Sequence, residues 1–313
     1  MAWALLAATP AGVLRAAEEG GAWRAEVVHP RNCTSVAVAG RAAYAGAHGG
    51  GVARSLDGGR AWEPVGLDDL DVTAVAASGA LVVAGTRPTA VYRSDDSGGS
   101  WRELDAFRDI RSRRLWFFPG GPPFTAYVSD VAIAGEVIVV GIEFGAVVRS
   151  PDGGSTWEDH RPGALRDCHE LAISPDGSVF EAGGNSGGAA VSRNAGETWE
   201  RTPLEKGRAY AVSVAANGER WYVASSPSPW KAHGQRPADA KIYRRDGDRW
   251  TALTRAPLAE TPFGLTAPEP GLLFAGFRNG EIWASEDAGE TFGTLCRGPA
   301  RIRRLAAVAD QRR

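Results

Sequence analysis

One short string recurs along this chain and restricts its fold more than any other feature. It reads Ser, any residue, Asp, any residue, Gly, two further residues and an aromatic. Clear copies run from Ser55 to Trp62, from Ser94 to Trp101 and from Ser150 to Trp157. Looser copies run from Ser192 to Trp199, with Asn194 for Asp, from Arg244 to Trp250, one residue short, and from Ser285 to Phe292. An eroded copy near the start holds Ala16, Glu18, Gly20 and Trp23 at the same offsets. A period of about forty residues with four strand-like runs in each predicts a β-propeller.

Each string joins two apolar runs, which makes it the hairpin between the last two strands of a blade. The Asp carboxylate can accept hydrogen bonds from nearby backbone amides, and Gly supplies the positive φ of the turn. The closing aromatic ring pins the hairpin to its blade. If that ring is fully buried, truncating Trp157 to Ala costs about 3–5 kcal/mol.

Between the aromatics at 23, 62, 101, 157, 199, 250 and 292 most gaps are 39 to 42 residues, while gaps of 56 and 51 mark insertions at 105–127 and 225–239. The C-terminal run Leu305-Ala306-Ala307-Val308 looks like an inner strand without companions, and residues 3–28 supply three strands without an inner one. Pairing them gives an all-β, seven-bladed propeller of four-stranded antiparallel blades, one domain over residues 1–313, and it removes exposed sheet edges. Residues 3–14 resemble the apolar part of a signal peptide, but no Lys or Arg precedes them and the ring needs them as strands. Three scattered cysteines, Cys33, Cys168 and Cys296, do not suggest a disulfide framework. With no apolar run of membrane-spanning length, the expected location is the cytoplasm. A net charge of −2 gives no sign of a nucleic-acid partner.

The strings Arg54-Ser55-Leu56-Asp57-Gly58-Gly59 and Arg149-Ser150-Pro151-Asp152-Gly153-Gly154 resemble the Asp-box, or BNR, repeat. That repeat occurs in sialidases, sortilin-type receptors, xyloglucan-degrading hydrolases and the photosystem II assembly-factor proteins, and the likeness covers nearly the whole chain. The resemblance implies that Asp57, Asp96, Asp152 and Asp287 are structural and lie away from the ligand face, as do Trp62, Trp101, Trp157, Trp199, Trp250 and Phe292. It also implies two kinds of function. A single-propeller assembly factor holds client proteins through an Arg-rich surface, which Arg87, Arg108, Arg111, Arg113 and Arg114 could supply here. A sialidase carries an N-terminal Arg-Ile-Pro string, missing here, where the nearest text is Arg301-Ile302-Arg303. Xyloglucan hydrolases work between two propellers, and this chain has length for one.

Ligands of propellers bind where loops enter the innermost strands and where the two middle strands connect. Stacking the repeats aligns Val36, Thr73, Val131, Leu171, Val212, Leu265 and Leu305 on the innermost strands. One residue earlier stand Ser35, Val72, Asp130, Glu170, Ala211, Gly264 and Arg304; two earlier stand Thr34, Asp71, Ser129, His169, Tyr210, Phe263 and Arg303. Such variety inside a regular repeat marks candidate function. Asp130, Glu170, His169 and Tyr210 are catalytic candidates, with Asp130 and Glu170 as an acid–base pair of a glycoside-hydrolase-like site. Asp71, Arg303 and Arg304 join His48, Arg87, Glu143, Asn185 and Arg278 of the middle loops as ligand-binding candidates. Trp116 and Trp230, in the Arg- and aromatic-rich insertions, are further ones. His48, His169 and Glu143 are candidate ligands for a divalent metal in a lyase or isomerase. Adjacent strand residues point to opposite sides, so His169 and Glu170 could share one ion only across a bend. The Gly-rich run 183–188 has no following helix, and no nucleotide cofactor is expected. The residues thus support a binding module for a sugar, another small molecule or a protein client, with an enzyme at the channel mouth as the alternative.

Overall fold

The computed structural model describes residues 2–310 apart from 120–124, 175, 185–187, 219, 235 and 255. The chain begins with three strands, β1 (Trp3–Thr9), β2 (Gly12–Glu19) and β3 (Ala22–His29). Then follow β4 (Cys33–Ala39), β5 (Ala42–Ala47), β6 (Gly51–Ser55) and β7 (Glu63–Pro64), and after them β8 (Asp71–Ser78), β9 (Leu81–Arg87), β10 (Val91–Ser94) and β11 (Arg102–Glu103). Next come β12 (Val128–Ala134), β13 (Val137–Ile142) and β14 (Val147–Ser150). Two further sets are β15 (Cys168–Ile173), β16 (Val179–Gly183), β17 (Ala189–Ser192) and β18 (Glu200–Arg201), and β19 (Tyr210–Asn217), β20 (Arg220–Ser226), β21 (Lys241–Asp246) and β22 (Arg249–Ala252). The last are β23 (Pro262–Glu269), β24 (Leu272–Phe277), β25 (Glu281–Ser285) and β26 (Gly293–Arg297), with β27 (Arg304–Ala309) alone at the end.

Each set forms one antiparallel meander, and β27 completes the first by pairing with β1, from Trp3 opposite Ala309 to Ala8 opposite Arg304. The result is a seven-bladed β-propeller whose last blade joins the C-terminal inner strand to three N-terminal strands. The blade of β12–β14 keeps only a bridge between Arg149 and Glu158 where its outer strand would run. By backbone proximity the chain divides into two compact units. One comprises Met1–Thr86, Tyr92–Glu103 and Phe263–Arg313; the other comprises Arg87–Val91 and Leu104–Pro262. Among the described residues no helix is long and apolar enough to cross a membrane.

Face-to-face stacking of blades explains why the inner and middle strands are apolar on both sides while the outer ones alternate. In the first blade Leu6, Ala8 and Val13 pack with Ala43 and Ala45 of the following blade. On its opposite face Leu5 and Leu14 pack with Phe274 and Ile282 of the preceding one. The outer strand β3 alternates between exposed and half-buried positions.

The recurring string forms the hairpin between the third and fourth strands, and its serine behaves alike in the copies that begin at Ser55, Ser94, Ser150, Ser192 and Ser285. Ser150 Oγ accepts a hydrogen bond from Gly154 N at 2.7 Å and donates to Asp152 Oδ1 at 2.9 Å. Asp152 in turn accepts from Thr156 N and Thr156 Oγ1, at 2.8 and 2.7 Å. The Ser94–Asp96–Ser100 and Ser285–Asp287–Thr291 groups repeat this pattern. Asn194 reproduces its acceptor half with Thr198. Gly154 has φ +96°, and a Cβ there would collide with the Leu104 side chain. Donation from the Ser100 backbone and hydroxyl holds Asp96 down at about 2, and the Thr291 hydroxyl and backbone do the same for Asp287. The closing rings, Trp157 included, are only half-buried. Truncating Trp157 is therefore expected to cost less than the 3–5 kcal/mol of a fully buried ring.

Two outcomes follow for stability. Ser150, fully buried, leaves the Gly154 amide without an acceptor when replaced by Ala, which costs about 1–3 kcal/mol in urea unfolding. Because the Asp96 and Asp287 carboxyls are depressed from 3.8 to about 2 in the fold, their contribution is complete above pH 4 and is lost as pH falls through about 2. The melting midpoint is expected to drop between pH 4 and 2, and to drop less steeply in the Asp96→Asn/Asp287→Asn double variant.

Candidate functional site

The polar residues at the starts of the inner strands are placed by a recurrent bulge. The ladder to the second strand skips one residue between Cys33 and Ser35, Val128 and Asp130, Cys168 and Glu170, and Ala211 and Ser213. The skipped residues are Thr34, Ser129, His169 and Val212. A bulge bends the strand and re-aims the side chain it carries. Val212 thus occupies the position of His169, and the sequence stacking, which set Tyr210 there, is two residues out of step in this blade. The same slip affects β8, where Thr73 Oγ1 donates to Gly85 O as Thr34 Oγ1 donates to Gly46 O.

In three of these four strands the residue after the bulge serves the framework. Asp130 Oδ2 accepts from Leu171 N at 2.9 Å and Oδ1 from Val131 N at 2.9 Å. Glu170 Oε2 accepts from Val214 N at 2.8 Å, and Ser213 Oγ donates to Pro262 O at 2.9 Å. Each fastens its inner strand to the backbone of the next. The two carboxylates expected to act as acid and base are therefore engaged by backbone amides.

A different group converges instead, within the unit Leu104–Pro262. Glu143 stands in the tight turn between β13 and β14, Asp167 just before β15, and His169 at the bulge. All three are buried. His169 Nε2 lies 3.6 Å from Asp167 Oδ2 and 3.9 Å from Glu143 Oε1. Its Nδ1 is 2.5 Å from the Ala211 carbonyl, which fixes the ring with Nε2 towards the carboxylates. Burial opposes a charge on this ring, yet Glu143 and Asp167 outweigh it and push the imidazole up to about 9. Phe144 N donates to Asp167 Oδ1 at 3.2 Å. Gly184 is required beside them, since a Cβ there would collide with Asp167 Oδ2.

Tyr210 covers the His169 ring at 4.7 Å between centroids and shares a 2.9 Å hydrogen bond with His233 Nε2. Burial, reinforced by Glu143 and Asp167, raises the Tyr210 phenol far above its ordinary value. One strand further out, Glu181 is fully buried, accepts from Leu165 N at 2.9 Å and is pushed up to about 8 by that burial.

Sequence reasoning missed Asp167, although its spacing of two before His169 on a strand was a usable signal. It singled out His169, Tyr210 and Glu143, which the structure brings together. His48 Nδ1 lies 2.5 Å from Asp71 Oδ1, and both belong to the other unit. Arg303 donates to Asn32 Oδ1 and Cys33 O, and Arg304 to the Arg303 carbonyl. Arg278 is half-buried, and Asn185 lies outside the described residues.

The first insertion folds into two 3₁₀ turns, Asp105–Asp109 and Arg111–Leu115. Phe107 anchors it, buried edge-on to Trp157 at 5.0 Å. Arg87 lies over the Phe118 and Tyr127 rings at 5.1 and 5.5 Å, and Trp116 donates to Ser112 Oγ. Pro122, Pro123 and Phe124 lie outside the described residues. In the second insertion the helix α1 (Pro229–His233) is capped by Ser228 and carries Trp230, which is 75% exposed.

No family model matches the chain. The bifunctional enzyme NanE/NanK of Brucella melitensis is 33% identical over 133 residues, 41% of this chain, and the protein of that name from Brucella suis is equally similar. The match spans about a quarter of the length of these curated relatives, 24% and 23%. Among solved structures, YCF48 bound to D1 peptide aligns with a TM-score of 0.60 at 16% identity, over 94% of this chain and 85% of that one. A GH74 xyloglucanase from Xanthomonas campestris aligns with a TM-score of 0.68 at 18% identity, over 97% of this chain and 52% of that one. YCF48 from Cyanidioschyzon merolae gives 0.60 at 12% identity over 96% and 90%. These likenesses agree on the propeller fold.

Replacing Glu170 by Ala strands the buried Val214 amide, and the expected loss in urea unfolding is about 1–3 kcal/mol. An unchanged unfolding midpoint would remove Glu170 from the framework.

Proposed function

We propose that residues 1–313 form a single-propeller binding module of the Asp-box type that docks a peptide segment of a protein partner on its two insertions. One observation carries this reading. Of the large hydrophobic side chains exposed among the described residues, Leu115, Phe117 and Trp230 lie in the insertions, at 71%, 53% and 75% exposure. Exposed Arg108, Arg111 and Arg114 accompany the first two. Aromatic and guanidinium groups held on a rigid base are the usual sources of binding energy at protein interfaces. Phe107 and Trp116 provide that base under the first insertion. The structural neighbour solved with a bound peptide supports a peptide over a sugar or other small molecule as the ligand. The engagement of Asp130 and Glu170 by backbone amides weighs against acid–base hydrolysis by that pair. A reducing, cytoplasmic setting suits the free cysteines, of which Cys33 and Cys168 are buried.

A random peptide library displayed on phage and selected on the folded chain tests the reading. The recovered peptides are expected to bind at least about tenfold more weakly to Trp230→Ala and to Phe117→Ala, which is about 1.4 kcal/mol. Both variants should melt like the parent because the rings are exposed. Failure to recover binders, or binders indifferent to both changes, would overturn the proposal.

A further inference from the structure

Most buried polar side chains of the inner strands serve the backbone, but the Glu143, Asp167 and His169 group is not accounted for in that way. The three ligand atoms lie within 4.8 Å of one another. Asp167 is 4% exposed, and its Oδ2, facing His169, accepts no hydrogen bond among the described residues. One imidazolium offsets only one of two buried carboxylate charges, and the other costs several kcal/mol unless a further cation compensates it. The spacing also carries information. At 3.6 and 3.9 Å the atoms around His169 Nε2 exceed hydrogen-bond length. Two ligand atoms placed tetrahedrally around Zn²⁺, each about 2.1 Å from the ion, stand about 3.4 Å apart. The two His169 distances are therefore within about 0.5 Å of those in a coordination shell.

The surrounding residues behave as supports of such a shell. The Ala211 carbonyl holds His169 Nδ1, so that Nε2, which gives up its proton when a metal binds, faces the two carboxylates. Phe144 N orients the other oxygen of Asp167. Gly184 leaves room for Oδ2, which any side chain would displace.

We propose that Glu143, Asp167 and His169 bind one divalent transition-metal ion of the Zn²⁺ type, leaving a fourth position for water. One imidazole and two carboxylates neutralise a divalent charge and favour Zn²⁺ over Mg²⁺, which prefers oxygen ligands and retains its own waters. Asp167 and His169, two residues apart at the start of β15, both reach the site.

The test is titration of the chelator-treated full chain with Zn²⁺ by calorimetry, and with Co²⁺ by visible absorption. One equivalent of Zn²⁺ is expected to bind, and Co²⁺ should show the intense visible bands of a four-coordinate ion. Asp167→Asn and Glu143→Gln, which preserve shape, and Gly184→Ala, which displaces Asp167, should each weaken Zn²⁺ at least about tenfold. Near-ultraviolet circular dichroism identifies any variant that has not folded, and the isosteric pair then decides. Absence of Zn²⁺ binding at millimolar concentration, or binding unaltered in the folded Asp167→Asn and Glu143→Gln variants, would overturn the proposal.

Discussion

The antiparallel ladder between β27 and β1 is the contact on which the rest of this molecule depends. A meander of strands has two free edges, and each edge offers unpaired backbone groups to any passing strand. Pairing Trp3–Ala8 with Arg304–Ala309 supplies the inner strand that the N-terminal blade lacks. It also brings Asp310 to Arg15 at 2.9 Å, an ion pair almost wholly removed from solvent. Sequence ends 295 residues apart thereby become one sheet, and no blade is left incomplete on its inner side.

Within that frame the division of labour among polar side chains is the main functional lesson. Repeated serines and aspartates satisfy hairpin amides at one end of each blade. At the other end Asp130, Glu170 and Ser213 reach the backbone of the next inner strand. The amide hydrogen bonds that Asp130 and Glu170 accept give those two carboxylates a framework role. Glu143 and Asp167 differ because they gather around an imidazole whose far side is already held by a carbonyl.

Much of this was legible before the structure. The period of the Ser-X-Asp-X-Gly string placed all seven inner strands, and the solitary run at Leu305 foretold the shared blade. The bulge was not legible, because a one-residue irregularity leaves the hydrophobic alternation of a short strand nearly unchanged. Two further residues before the bulge in β19 put Tyr210 out of column with His169, and the stacking did not extend back to Asp167. The pairing of His48 with Asp71 was equally hidden, since both had been read as separate contributors to a ligand ring. The cost of truncating Trp157 was tied to full burial of its ring, and the ring is half-buried.

The central claim is that Asp130, Glu170 and Ser213 are spent on backbone groups, while among the described residues one buried constellation fits a cation. An anomalous difference map, recorded at the zinc absorption edge from crystals of the full chain grown with Zn²⁺, tests it most directly. The account predicts a peak within bonding distance of Glu143, Asp167 and His169 Nε2, with Asp130 and Glu170 still on their amides. A map with peaks only at exposed groups, and none between those three residues, would contradict it.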